Sequence, residues 1–146
     1  MNFLYRGVSL EIHLKTEGKL IPKGLSFKHP VRYGSQIAKY GSGITYGSSE
    51  NNAVIGHQTN SDEFPTSGVS TTPHFERAKF YANKGKNVKG IVYKINRQKL
   101  AVYEVKEYIV TKYTTQPTVP EDDEVILVDK NSGPLPNEII IYVIEV

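Results

Sequence analysis

The rhythm of apolar and polar positions changes three times along the chain. Phe3-Leu4-Tyr5-Arg6-Gly7-Val8 is a short aromatic and apolar run with the make-up of a strand. Ser9 then stands as the cap of a helix carrying Leu10, His13 and Leu14, with Glu11 in the first turn and Gly18 as the stop. Leu20-Ile21-Pro22-Lys23-Gly24 turns the chain sharply. Residues 29–68 lose the rhythm. They are rich in Gly, Ser, Asn and Tyr and hold at most one short helix, near 50–57. An irregular stretch of that length in a small domain reads as a working surface. Gly68 to Thr72 is a brief strand ended by Pro73. Thr72 as cap and Pro73 at the first helical position open a helix through Phe75, Ala78, Tyr81 and Ala82, and Gly85 lies near its end. From Gly90 onward the period is two. Strands are predicted at 90–95, 100–103, 108–110, 125–128 and 139–146, with an exposed polar loop holding two prolines at 114–123. Strands dominate, the short helices gather in the first half, and no βαβ alternation occurs. The expected class is α+β with mostly antiparallel sheets.

Composition narrows the possibilities. A length of 146 residues fits one domain, 1–146. With 38% apolar and 23% charged residues, ten tyrosines and five phenylalanines, the chain is too apolar for disorder and too polar for a membrane protein. No run approaches the roughly 18 apolar residues of a spanning helix, and no membrane partner is expected. Met1-Asn2-Phe3-Leu4-Tyr5-Arg6 lacks the features of a signal peptide. The absence of cysteine excludes disulfides, zinc–thiolate sites and a thiol nucleophile. His13, His29, His57 and His74 are scattered without metal-ligand spacing, so no metal is expected. Neither a P-loop nor a Gly-x-Ser-x-Gly elbow occurs. A net charge of +3 is a mild lean toward anions, short of a nucleic-acid-binding signature.

Three local features carry chemistry. Arg6 lies inside an otherwise apolar strand, where a charge needs a partner or a ligand. Ser70-Thr71-Thr72 places three hydroxyls where a strand leads into a helix N-terminus, a setting that favours phosphate or carboxylate. Glu124 stands where the acidic loop meets the apolar Val125-Ile126-Leu127-Val128 strand. Singly, each has an ordinary reading: an edge-strand charge, a helix cap and a solvated acidic turn.

In this order the three features resemble the Arg … Ser-Thr-Ser/Thr … Glu-x-Glu-Val series of the mono-ADP-ribosyltransferase toxins. The likeness is to the group of cholera toxin, heat-labile enterotoxin and the pierisin-like enzymes. It takes in Leu4-Tyr5-Arg6, Gly18-Lys19-Leu20-Ile21-Pro22-Lys23-Gly24, the tyrosine-bearing strand after the Ser-Thr-Thr helix, Asp122-Asp123-Glu124-Val125 and Gly133-Pro134-Leu135-Pro136. The resemblance implies two packed, mainly antiparallel sheets forming a cleft for NAD, which is the substrate. NAD is split at the nicotinamide–ribose bond, and ADP-ribose passes to a macromolecular acceptor, more readily a protein than a nucleic acid. Positive charge builds on the ribose in a glycosidase-like, oxocarbenium state, and a fixed carboxylate stabilises it. By resemblance Glu124 takes that role and Ser70 holds Glu124 and the ribose in register. Arg6 clamps phosphate or ribose, as a bidentate donor suits oxyanions. Tyr5, Gly7, Thr71 and Thr72 line the NAD site beside them. Phe80 or Tyr81 either stacks near the nicotinamide or packs in the core.

The chain departs from the pattern twice. Asp122 stands where the family carries Glu or Gln; it can serve as a base toward the acceptor, with a shorter reach. Asn52-Ala53 stands where cholera-like members carry His-Ala, leaving His57 either as a substitute or as a surface histidine. Two other readings stay open: an NAD glycohydrolase with water as acceptor, and a non-catalytic or RNA-binding module on the same scaffold. The resemblance also implies a catalytic domain cut from a larger delivered or secreted toxin polypeptide, acting in the target-cell cytoplasm and matched by a cognate immunity protein.

Overall fold

The structure is a computed structural model that describes residues 2–24, 29–31, 47–49, 53, 54, 57 and 66–146. Strand β1 (Phe3–Ser9) runs into helix α1 (Leu10–Lys15), where the Ser9 hydroxyl accepts the Ile12 N–H as the predicted cap. Backbone of β2 (His29–Val31) pairs antiparallel with β3 (Gly47–Ser49) inside the stretch that reads as irregular. Ala53, Val54 and His57 are helical, in keeping with a short helix near 50–57; the remainder of that helix lies outside the described residues. Strand β4 (Val69–Thr71), helix α2 (Phe75–Asn83) and strands β5 (Gly90–Asn96), β6 (Val105–Ile109), β7 (Val125–Asp129) and β8 (Ile140–Glu145) complete the order.

Two three-stranded antiparallel sheets result, β1-β5-β8 and β4-β7-β6. The class is α+β, as the pattern predicts. Period-two alternation explains how they stack. Leu4 and Val8 of β1, Ile91, Tyr93 and Ile95 of β5, and Val125 and Leu127 of β7 share one core between the sheets. The odd-numbered neighbours on β1, Tyr5 and Gly7, fall on the opposite face with Val92, against Ala78 and Ala82 of α2. Ile126 and Val128 face away from the main core, toward Ala53 and Val54. The layers are therefore α2, first sheet, core, second sheet and the helical residues Ala53 and Val54.

Three predicted elements differ. The strand predicted at 108–110 begins at Val105 and ends at Ile109, with Val110 opening a 3-10 turn. Residues 100–103 form no strand: a 3-10 turn (Arg97–Lys99) runs into a reversal closed by Glu104 at φ +57°. Leu100 alone is buried there while Val102 is 74% exposed, so one anchoring side chain mimicked an apolar run. Helix α2 begins at Phe75 with His74 as its N-cap, two residues later than predicted, because Thr72 pairs with Tyr5 in an isolated bridge. Among the described residues no helix is long and apolar enough to cross a membrane.

Candidate active site

The two sheets are stitched at one corner. Tyr5 N–H donates to the Thr72 carbonyl at 2.7 Å, and Thr72 N–H to the Tyr5 carbonyl at 2.9 Å. This bridge brings Arg6, the next residue on β1, beside β4. Arg6 shares the inward face of β1 with Leu4 and Val8 and sits opposite Tyr93 in the ladder. Its Nη1 donates one long hydrogen bond, 3.3 Å, to the Ser70 carbonyl. Among the described residues no carboxylate lies within ion-pairing distance of it. Burial pulls its pKa down and Glu124 pulls it back up. A guanidinium does not release its proton in a protein, so the charge stays, and among the described residues it is met by that single hydrogen bond. Behind it the buried Tyr93 hydroxyl lies 2.6 Å from His13 Nδ1.

Next to Arg6 runs a chain of hydrogen bonds with one direction. Gly68 N–H donates to Thr66 Oγ1 at 3.1 Å, and Thr66 Oγ1 lies 2.8 Å from His57 Nδ1. His57 Nε2 lies 2.8 Å from Ser70 Oγ, which donates to Glu124 Oε2 at 2.5 Å. Because the Ser70 proton goes to the carboxylate, Ser70 Oγ accepts from His57 Nε2–H. Nδ1 then accepts the Thr66 hydroxyl proton, which fixes the neutral tautomer. Electrostatics agrees: burial, with Arg6 and Lys23 adding positive charge nearby, lowers the His57 pKa to about 4. Glu124 is pushed above the ordinary carboxylate range, first by burial and then by Asp122, with the Ser70 hydrogen bond and Arg6 opposing. A surface histidine is excluded; His57 is 6% exposed and wired to Ser70.

Asp122 ends a 3-10 turn (Pro120–Asp122) and is buried, not part of an exposed loop. Its Oδ1 accepts from Arg77 Nε at 2.7 Å and its Oδ2 from the Tyr81 hydroxyl at 2.5 Å. Both oxygens are thus committed to α2. Asp123 follows at φ +47°, a left-handed conformation that aspartate tolerates better than most residues. That reversal turns Glu124 toward Ser70.

Several residues assigned to NAD by resemblance are placed elsewhere. Thr71 Oγ1 donates to the Val125 carbonyl at 2.7 Å and Thr72 Oγ1 to the Asp122 carbonyl at 2.6 Å, so both buried hydroxyls bind backbone. Tyr5 packs edge-on against Phe75, and Gly7 is the point of closest approach to α2, where a Cβ would lie 1.9 Å from the Ala78 carbonyl oxygen. Both lie on the face of β1 away from Arg6, where they pack against α2. Phe80 and Tyr81 are about half exposed, outside the core, with the Arg77 guanidinium over both rings. Arg6, Ser70, His57 and Glu124 are the predicted residues that come together. Sequence reasoning missed Thr66, His13, Tyr93 and Arg77. Tyr93 reads as an ordinary core position in its strand, and the others carry no motif.

The NarE family model matches residues 3–127, from β1 through the Arg6, Ser70 and Glu124 positions into β7. The chain belongs to the NarE family. That family is ADP-ribosyltransferase-like, which places this member's activity at the same coarse level. No curated protein matches the chain. The NarE match ends inside β7, so β8 and the turn before it lie beyond the matched residues.

Proposed function

We propose that this NarE-family chain cleaves NAD at the nicotinamide–ribose bond and transfers the ADP-ribose to a macromolecular acceptor. The observation that carries the reading is the Ser70–Glu124 hydrogen bond, braced by His57 and adjoined by the guanidinium of Arg6, which reaches the Ser70 carbonyl. Arg6 receives oxyanions of the dinucleotide, for which a planar, permanently charged fork is suited. The C1′–N bond breaks with its electron pair leaving on nicotinamide, which departs neutral. The carboxylate of Glu124, held at one oxygen by Ser70, faces the charge that develops on the ribose. His57 is neutral and holds the Ser70 hydroxyl in the orientation that donates to Glu124. Preorganisation of this kind typically contributes a few kcal/mol. The setting follows the same resemblance: a toxin-like effector delivered into a target cell and countered by an immunity protein.

Glu124 must be ionised for this role. Its raised pKa implies that activity is lost as pH falls through a value above the ordinary carboxylate range. Glu124→Gln preserves the shape and removes the charge. It is expected to lower nicotinamide release at least a hundredfold, on the order of 3 kcal/mol, with unchanged circular dichroism. Turnover within tenfold of wild type would remove Glu124 from the chemistry.

A further inference from the structure

Residues 122–124 send three successive carboxylates in three directions. Asp122 goes to Arg77 and Tyr81 on α2, and Glu124 to Ser70. Asp123 goes outward, to His74, whose Nε2 lies 2.6 Å from Asp123 Oδ2. Besides the β4–β7 ladder, the two segments that carry the site, 70–74 and 122–125, are joined by four side-chain links: Ser70 to Glu124, Thr71 to Val125, Thr72 to Asp122 and His74 to Asp123. The first three links are buried or partly so. The fourth is open to solvent, with the two side chains 38% and 59% exposed. His74 is the N-cap of α2, yet its side chain makes no capping hydrogen bond, and its carbonyl alone accepts from Arg77 and Ala78. The imidazole is therefore not needed to start the helix. Its Nδ1 has no partner among the described residues.

The geometry points to the His74–Asp123 pair as the base that takes the proton of the group receiving ADP-ribose, in place of Asp122. The inference rests on the NAD-cleaving reading above. When the C1′–N bond breaks and nicotinamide leaves with the electron pair, the lone pair of an acceptor N–H or O–H forms the new bond to C1′. Its proton passes to His74 Nδ1, while Nε2–H stays donated to Asp123, which fixes the ring and stabilises the imidazolium. No electrons change hands beyond these bonds. Asp122 is a positioning residue here: with both oxygens engaged on α2, it holds the turn that presents Asp123 and Glu124.

The test uses NAD labelled in its adenylate part, with a cell lysate as acceptor source, and reads both nicotinamide release and label attached to protein or nucleic acid. His74→Asn supplies a favoured N-cap side chain, so the helix start is retained. It is expected to lower the ratio of attached label to released nicotinamide at least tenfold, and Asp123→Asn at least threefold. His74→Gly, with the same loss, should regain transfer on addition of imidazole, a rescue that a purely structural role would not give. A ratio within twofold of wild type in His74→Asn, or no rescue by imidazole, overturns the assignment. Nicotinamide release by wild type with no label attached overturns it while leaving NAD cleavage intact. No release at all overturns the cleavage reading and this inference with it.

Discussion

His57 gives a prediction whose size follows from its surroundings. The unfolded chain titrates its histidine near 6.5, and burial beside Arg6 and Lys23 lowers the folded value to about 4. Between these values the unfolded state binds the extra proton, so His57 makes stability rise with pH across that window. Its contribution is present in full above about pH 6.5. About 1.4 kcal/mol is lost at pH 5.5 and about 3 kcal/mol at pH 4. Glu124 has the opposite sign, since its raised pKa favours the protonated folded form as pH falls. The two are separated by His57→Gln, which keeps a donor and an acceptor but does not titrate. Urea unfolding at a series of pH values, followed by tyrosine fluorescence because the chain has no tryptophan, gives both curves. Wild type should lose about 3 kcal/mol more than the variant between pH 7 and pH 4. Parallel curves, or a histidine resonance titrating near 6.5 for His57, would refute the buried neutral imidazole and the hydrogen-bond direction built on it.

Two further outcomes follow from packing. Gly7→Ala places a methyl group 1.9 Å from the Ala78 carbonyl oxygen, forcing β1 from α2; thermal denaturation should show a loss of about 3 kcal/mol or failure to fold, and a loss below 0.5 kcal/mol would contradict the contact. Arg77→Met leaves the buried Asp122 with only the Tyr81 hydroxyl, and should cost about 2 kcal/mol in urea unfolding while lowering kcat for nicotinamide release more than it raises KM for NAD. An effect confined to KM would place Arg77 on the substrate instead of behind the turn.

Much of the fold is legible in the sequence wherever a strand is covered on both faces. Phe3 to Ser9, Gly90 to Asn96 and Val125 to Asp129 send one set of side chains to the core and the other toward a helix, so each reads as a short run rich in apolar and aromatic residues. The run at 100–103 misled because burial of one leucine beside exposed Ala101 and Val102 resembles a strand of the same length. The site is half legible. Arg6 is conspicuous as a charge in an apolar run, and Ser70 lies in β4 and Glu124 just before β7, strands that pair through Ser70 and Ile126. His57 is not legible by spacing: it reaches Ser70 across an irregular region whose course the local pattern does not specify. Asp122 and Asp123 look alike in a run of acids. Asp123 itself is left-handed, so that Asp122 is buried against Arg77 while Asp123 meets His74 at the surface.

The most direct test of the account is a crystal structure of Glu124→Gln with NAD bound, since removing the charge lets the dinucleotide survive. The account predicts the nicotinamide ribose within hydrogen-bonding distance of residue 124 and Ser70, with a phosphate or ribose oxygen on the Arg6 guanidinium. NAD bound elsewhere, for instance in the cavity of about 430 Å³ lined by Lys79, Lys86 and Lys89, with Arg6 untouched, would contradict it.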